Sequence, residues 1–477
     1  MSQASGLHRP APDNGMRFRI RCRIPMKAAD NIPRPHSEAD RDAEDDRDVA
    51  VLIERAQHHA FYYFEATTDP ASGLVLDSTQ PDSPCSITGV GMALTTYPLA
   101  VERGWMTRPQ AVGVTLRTLR FFANADMSGS PQSTGHRGFY FHFLDMRTGT
   151  RTWKSELSSI DTSFLIAGVL AAAAYFDHET EHEAEIRATA RLLVDRVEWD
   201  WMGNCDGAIC HGWKPERGFL RYHWRGYSEG LLMMALALGS EHHKVPMSTW
   251  DEWLKGYRWR KIYGHEHLVA GPLFIHQYSH MWIDFRGIQD AFMRDKGIDY
   301  FENSRRATLV QREYAIRNPK HFDGYRADCW GLTACDGPGP LEITVDGHKR
   351  RLMGYAARGA PYGPDDGTVA PWGAAASLPF APDIVIPTLQ HNARMMSEHA
   401  NYTPGCSFNP TLKTGKNSLG WVSPWRFALN SGPVALMIEN YRSGLPWTLI
   451  KRDPTIRRGL ERADFRGGWL SAPPPAA

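Results

Sequence analysis

Apolar segments with helical spacing recur along most of the chain, and this constrains its fold more than any other feature. They include DVAVLIERAQHHAFYYFEA, GVGMALTTYPLAVERG, RPQAVGVTLRTLRFFANA, SIDTSFLIAGVLAAAAYF, EAEIRATARLLVDRV and YSEGLLMMALALGS. Connections rich in Gly, Pro and Asp separate them, among them HRGFYFHFLDMRTGT and GNCDGAICHGWKPERGF. Helix and long loop in alternation, with little strand patterning, predict an all-α fold. No short exact repeat recurs, which argues against a simple solenoid. One β feature is expected, a small hairpin insertion over Leu341 to Tyr355 turning at Asp346-Gly347. A length of 477 residues allows one large domain or a few small ones. The run of helices favours one domain over 46–460, after a disordered leader over 1–45 that ends in SEADRDAEDDRD. Residues 461–477 read as a flexible tail.

Composition narrows the partners. A formal net charge of +1 with no clustered Lys/Arg argues against nucleic acid. No apolar run approaches the roughly 20 residues of a membrane span. The first 36 residues contain basic side chains but no apolar core of a signal peptide. As written, this reads as cytoplasmic; a true leader missing from the sequence would make it periplasmic. The seven cysteines include no CxxC pair, so zinc-ribbon spacing is absent. Cys205 with Cys210, and Cys329 with Cys335, lie close enough to pair in an oxidising compartment, but reduced thiols are the expectation. No cofactor is implied.

The stretch from Gly271 to Pro338 is dense in Trp, Tyr, His, Asp and Arg. Such a surface could stack on and hydrogen-bond a polar ring, and a sugar is the natural candidate. Each of the 16 Trp is either a core ring or a stacking platform. Cleaving a glycosidic bond usually takes two carboxyl groups, one to protonate the leaving oxygen and one to activate water or attack. Glu229, in HWRGYSEGLLMM at the mouth of an apolar helix, is the leading general acid. The alternative is that Ser228 caps that helix and Glu229 only favours its dipole. Glu156 and Asp161, in TWKSELSSIDTSFL, are catalytic candidates for sugar hydroxyls or proton relay. Otherwise Asp161 is part of a cap and Glu156 pairs with Arg151 or Lys154. Trp153 beside them is a candidate stacking ring.

Substrate-binding candidates further along are His276, Gln277, Tyr278, Asp284 and Arg286. Asp284 and Arg286 could equally form a structural ion pair. His276 and His280 have metal-ligand spacing, but Gln277 stands where a zinc hydrolase of the HExxH type has Glu, so no metal is expected. Arg305 and Arg306 could hold acidic groups or sugar hydroxyls. Trp330, Thr333 and Asp336 lie in a Gly/Pro-rich loop, and Trp372 is a candidate cleft wall.

HQYSHMWIDFRG, ENSRRAT, WGLTACDGP and GPVALMIENYRSGLPW resemble the bacterial glucoamylase-like family. So do YYFEATTDPASGLVLD, SITGVGMALTTYPLAVERGW and the block from Arg137 to Leu170. The family includes β-1,2-glucanases of glycoside hydrolase family 144 and the transglycosylase domain of cyclic β-1,2-glucan synthases. The resemblance runs from about Val49 to about Leu449 and implies an (α/α)6 barrel. It further implies a β-glucan substrate, most simply for an endo-β-1,2-glucanase, with Glu229 as acid and inversion at the anomeric carbon. Exo action and transglycosylation use the same fold. The chain departs from the family at Cys406 and Asn430, where many relatives have Asp. That departure leaves the base open and motivates a competing expectation, a catalytically degenerate glycan-binding protein.

Overall fold

Helices in this protein fall into two physical kinds. Those apolar on every side can only be buried, whereas those with one apolar stripe can cover them. In chain order the helices are α1 (Glu38–Thr67), α2 (Ile87–Glu102), α3 (Arg108–Ala123), α4 (Ser159–Tyr175), α5 (Glu181–Asp195), α6 (Trp199–Met202), α7 (Leu231–Gly239) and α8 (Ser248–Leu254). Then come α9 (Ala291–Lys296), α10 (Tyr300–Arg317), α11 (Pro371–Ala375), α12 (Pro382–Glu398), α13 (Ala428–Arg442), α14 (Leu445–Lys451) and α15 (Pro454–Arg462). The computed structural model describes residues 38–203, 206–345, 347–398, 406–414 and 418–472. It divides into two units, Met1–Val51 and Leu52–Ala477. The described part of the first is helical, and the site lies in the second.

Helices α2, α4, α7 and α13 are buried on nearly every face. Helix α5 buries only a stripe of Glu183, Ile186, Ala190, Leu193 and Val194. Helices buried on all sides and helices with one buried stripe together build an (α/α)6 barrel. Two inner contacts are made by backbone alone. At the crossing of α2 and α4, a Cβ on Gly168 would lie 2.1 Å from the Gly91 carbonyl oxygen, and one on Gly91 2.2 Å from that of Phe164. Helices α7 and α15 meet the same way, through Gly239 and Gly459.

Short ladders bind the loops at the start of α2 and α4. Cys85–Ser86 pairs with Phe143–Leu144, and Leu157–Ser158 pairs with Gly212–Lys214. Ser86 caps α2 and Ser158 caps α4, so each ladder ends where a buried helix begins. The expected hairpin is present, with Leu341–Val345 against His348–Leu352 and Val345 opposite His348; Asp346 itself lies outside the described residues. Nearby, Arg358 is fully buried and grips Asp366 through two hydrogen bonds of 2.7 and 2.8 Å. Its remaining donors go to the carbonyls of Cys335, Met353 and Gly354.

Several expectations are corrected. Residues 1–37 of the leader lie outside the described residues, but from Glu38 onward the charge run is the start of α1. Its Glu, Asp and Arg include good helix formers, and acidic residues favour a helix N-terminus. The tail is ordered as far as Ala472: Arg466–Gly467 pairs with Ile288–Gln289, and the Trp469 indole donates to the Asp284 carbonyl at 2.8 Å. Residues 473–477 lie outside the described residues. Cys210 is disulfide-bonded rather than reduced, while Cys205 and Cys22 fall outside the described residues. Cys329 and Cys335 are buried free thiols and do not pair. Among the described residues no helix is long and apolar enough to cross a membrane.

Candidate active site

The ladders bring three side chains together at the start of α4. Ser158 accepts from the Asp161 amide and donates its hydroxyl to the Asp161 carboxylate. Thr88, in the first turn of α2, donates to the other carboxylate oxygen at 2.6 Å. Both donors come from helix starts, which is why Asp161 can be buried. His142 lies between this carboxylate and Glu156. Its Nε2 is 3.5 Å from Asp161 Oδ1 and its Nδ1 is 3.2 Å from Glu156 Oε1. Burial disfavours a charged imidazole there, but Asp161 and Glu156 outweigh it and lift His142 to about 9. Burial likewise opposes the Glu156 charge, yet the His142 hydrogen bond and charge hold that carboxyl down to about 2. Lys214 adds a cation 4.0 Å from its second oxygen.

The cluster continues to the surface through rings. His142 stacks on Phe143 with centroids 3.9 Å apart, and Phe143 packs against Trp153 at 5.0 Å. Trp153 is 44% exposed. It and Lys154 have φ of 54° and 49°, a left-handed conformation that non-glycine residues seldom adopt and that functional sites often retain.

Glu229 occupies the turn just before α7. Its carbonyl accepts from Ser279 Oγ at 2.6 Å, and Ser279 Oγ in turn accepts the Leu232 amide at 3.1 Å, which locks the turn to the 279–281 segment. The α7 cap is Gly230, with no side-chain cap, so the capping alternative for Ser228 does not hold for α7. Burial, with a smaller push from the Asp161 charge, raises the Glu229 carboxyl to about 7. Trp224, whose indole donates to Ser159 at 2.9 Å, stacks on His211 at 4.1 Å beside this turn. The Tyr278 phenol is driven well above its ordinary value by burial and by the charges of Tyr355, Glu229, Asp161 and Asp77, which places these groups in one neighbourhood.

Most of the Gly271–Pro338 stretch is a core strut rather than a cleft surface. His276 donates from Nε2 to the Ala270 carbonyl at 3.2 Å and accepts the Tyr227 hydroxyl at Nδ1 at 3.1 Å. Gln277 donates to the Gly373 carbonyl and to Ser377, and Tyr278 donates to the Leu429 carbonyl. His280 bonds Ser304 at 3.0 Å. Burial pushes both imidazoles down to about 3. Trp330 and Trp372 are 0% and 1% exposed, their indoles given to Thr388 and the Ala334 carbonyl, so neither is placed to stack on a sugar. Thr333 is buried and accepts the Phe274 amide. Asp284 pairs with Arg286 at 2.7 Å and with Lys451 at 2.6 Å, the structural alternative. Arg305 and Arg306 pair with Glu302 one turn earlier in α10. Arg151 pairs with Glu216, and Glu156 turns to His142 instead.

Asp336 accepts from Ser423 Oγ at 2.8 Å, and its carbonyl from Ser407 at 2.7 Å. The thiol of Cys406 points to the Trp425 carbonyl at 3.5 Å, which Ser423 also approaches at 3.4 Å. Asp336 thus stands beside Cys406. Asn430 is buried in the first turn of α13. Among the described residues no cluster of His, Cys, Asp and Glu could hold a metal ion.

His142 and Asp77 belong to the cluster as well, though neither is marked as a site residue by the sequence. Asp77 is buried and closes the block YYFEATTDPASGLVLD, a signal that was available. His142 lies in the loop HRGFYFHFLDM, where nothing local marks it.

Within this barrel one carboxyl, Glu229, is raised by burial while a second, Glu156, is held down by His142. Residues 221–454 match the family model described as "putative glucoamylase". The chain has the (α/α)6-barrel fold and is similar to glucoamylase-like proteins over that span. An exo-β-1,2-glucooligosaccharide sophorohydrolase of Parabacteroides distasonis is 29% identical over 450 residues, which is 86% of this chain and 57% of the relative. The chain therefore spans less than two thirds of that enzyme. A protein from Bacteroides uniformis carrying the same description as the family model superposes with a TM-score of 0.77 at 28% identity, over 88% of this chain and 98% of its own. An endo-β-1,2-glucanase from Chitinophaga pinensis, solved with sophorotriose and glucose, superposes with a TM-score of 0.75 at 27% identity, over 88% and 99%.

Proposed function

We propose that this protein is a glycoside hydrolase that cleaves β-1,2-glucan, with Glu229 as the general acid. The observation that carries the reading is the contrast within one cluster: Glu229 holds its proton to about 7 while Glu156 is ionised down to about 2. One carboxyl able to give a proton beside others able to accept one is the division of labour that glycoside hydrolysis needs. Glu229 protonates the glycosidic oxygen as its bond to the anomeric carbon breaks. Water adds to that carbon and gives up its proton through bound water to the Glu156–Asp161 pair. Trp153 supplies the ring on which a sugar stacks. The β-1,2 linkage is supported by the Parabacteroides and Chitinophaga relatives, whose names specify it. Endo cleavage with inversion is the form proposed.

Product analysis tests it. Linear β-1,2-glucan, beside β-1,3- and β-1,4-glucans, is incubated with the protein and with Glu229→Gln. Short β-1,2-oligosaccharides that vanish in the variant support the reading, and sophorose as sole product would make the action exo. A second reading, a glycan-binding protein without turnover, is favoured by Cys406 and Asn430. Binding of β-1,2-oligosaccharide with no product from any glucan would put it first.

A further inference from the structure

We propose that His142 is a positioning residue that decides which carboxyl of the cluster carries the proton: as an imidazolium set between Glu156 and Asp161, it keeps Glu156 ionised and leaves Glu229 as the proton-bearing acid. The inference deepens the proposed hydrolase and rests on Glu229 being its acid.

The geometry allows little else. The ring has one carboxylate on each nitrogen, 3.2 Å from Nδ1 and 3.5 Å from Nε2. A neutral imidazole has a single N–H, whereas the imidazolium hydrogen-bonds Glu156 and also sets a positive charge 3.5 Å from Asp161. The residue is fixed from every side. Its amide donates to the Glu156 carbonyl at 2.9 Å, its carbonyl accepts the Ile87 amide at 3.4 Å, and its ring lies on Phe143 at an interplanar angle of 12°.

The charged and titratable groups around it are few and nameable. Glu156 and Asp161 touch it, and Asp77 acts on it from the loop before α2. Lys214 stands on the far side of Glu156. The Thr88 and Ser158 hydroxyls hold Asp161 from the other side. Glu229 is reached through Asp161, whose charge it feels. Without a cation at 142, like-charged carboxyls in one half-buried site cannot all ionise at neutral pH. Glu156 would lose a hydrogen bond and its nearest positive charge together, and would compete with Glu229 for the proton. The upward displacement of His142 and the downward displacement of Glu156 agree with this arrangement.

Two readouts test the proposal. The first needs no turnover: the imidazole of His142 is followed by NMR through a pH titration, its signal assigned by its loss in His142→Gln. A midpoint above pH 8 that falls by about one unit in Glu156→Gln is expected. Titration near the ordinary 6.5 or so would overturn the clamp. The second is the pH profile of kcat/KM on β-1,2-glucan. His142→Gln is expected to displace both limbs upward by about one unit, and His142→Arg, which keeps the charge, to restore them toward their original positions. A uniform loss of activity or of thermal stability, with both limbs in place, would reduce His142 to a structural residue and overturn the proposal. If the unmodified protein hydrolyses no glucan, the acid assignment falls, while the imidazole titration still decides whether the clamp exists.

Discussion

Thr88 gives its hydroxyl to Asp161 at 2.6 Å across the crossing of α2 and α4, so one carboxylate of the site is held by a helix that does not carry it. Thr88→Val keeps the shape and removes the donor. It should cost about 1 kcal/mol or more of stability, because a buried acceptor loses a partner, and should lower kcat more than it raises KM. Thermal unfolding and steady-state kinetics on β-1,2-glucan check both parts.

Glu229 links activity to stability with an unusual sign. Its carboxyl is raised in the folded state to about 7, above its ordinary 4.5, so the native protein binds the proton more tightly than the unfolded chain. Its contribution is complete below the unfolded value and is lost as pH rises through about 7. Glu229→Gln should therefore be more thermostable than the parent at pH 8 and nearly equal to it at pH 4. The same variant should lose about a hundredfold or more in kcat. A parent that gains stability between pH 5 and 8 relative to the variant would contradict the assignment.

Catalysis by the parent should fall on the alkaline side as Glu229 ionises near pH 7, with Glu156 ionised throughout the working range. A plot of kcat/KM against pH should show that alkaline limb. An acidic limb set by Glu156 should lie below pH 4.

Trp153 predicts a binding effect rather than a chemical one. Trp153→Ala removes an exposed ring that packs on Phe143 and should raise KM by about tenfold, the scale of a lost stacking contact, with a smaller change in kcat. Titration with a β-1,2-oligosaccharide, followed by tryptophan fluorescence, gives an independent reading.

Arg358 and Asp366 form a sealed pair far down in the fold. Arg358→Leu strands Asp366 without its partner and should cost about 3–5 kcal/mol, visible as a large drop in thermal midpoint. Replacing both by apolar residues should recover much of that loss.

The helical architecture was legible because all-round apolar segments such as SIDTSFLIAGVLAAAAYF leave no solvent face, and the 341–352 hairpin because Asp346-Gly347 is a turn dipeptide between alternating strands. The family resemblance supplied the ring closure, which no local pattern encodes. Glu229, Glu156 and Asp161 were legible as acids at helix entrances. The Gly271–Pro338 stretch was misread because a surface that binds a sugar and an interior that satisfies its own polar groups have the same composition. Gln277 distinguishes them only through Gly373 and Ser377, about a hundred residues away in sequence. His142 escaped notice for the same reason, since its significance is a relation to two carboxylates held by other elements.

At the Gly91–Gly168 crossing there is no side chain to rearrange, so a substitution there cannot be absorbed by a change of rotamer and must move a whole helix. The seam works as a fixed datum from which Thr88 and Asp161 are both measured. Evolutionary change that preserves the chemistry is thereby directed outward, into the loops that carry Trp153 and Tyr355. Side chains can vary there while the spacing of Thr88 and Asp161 stays constant.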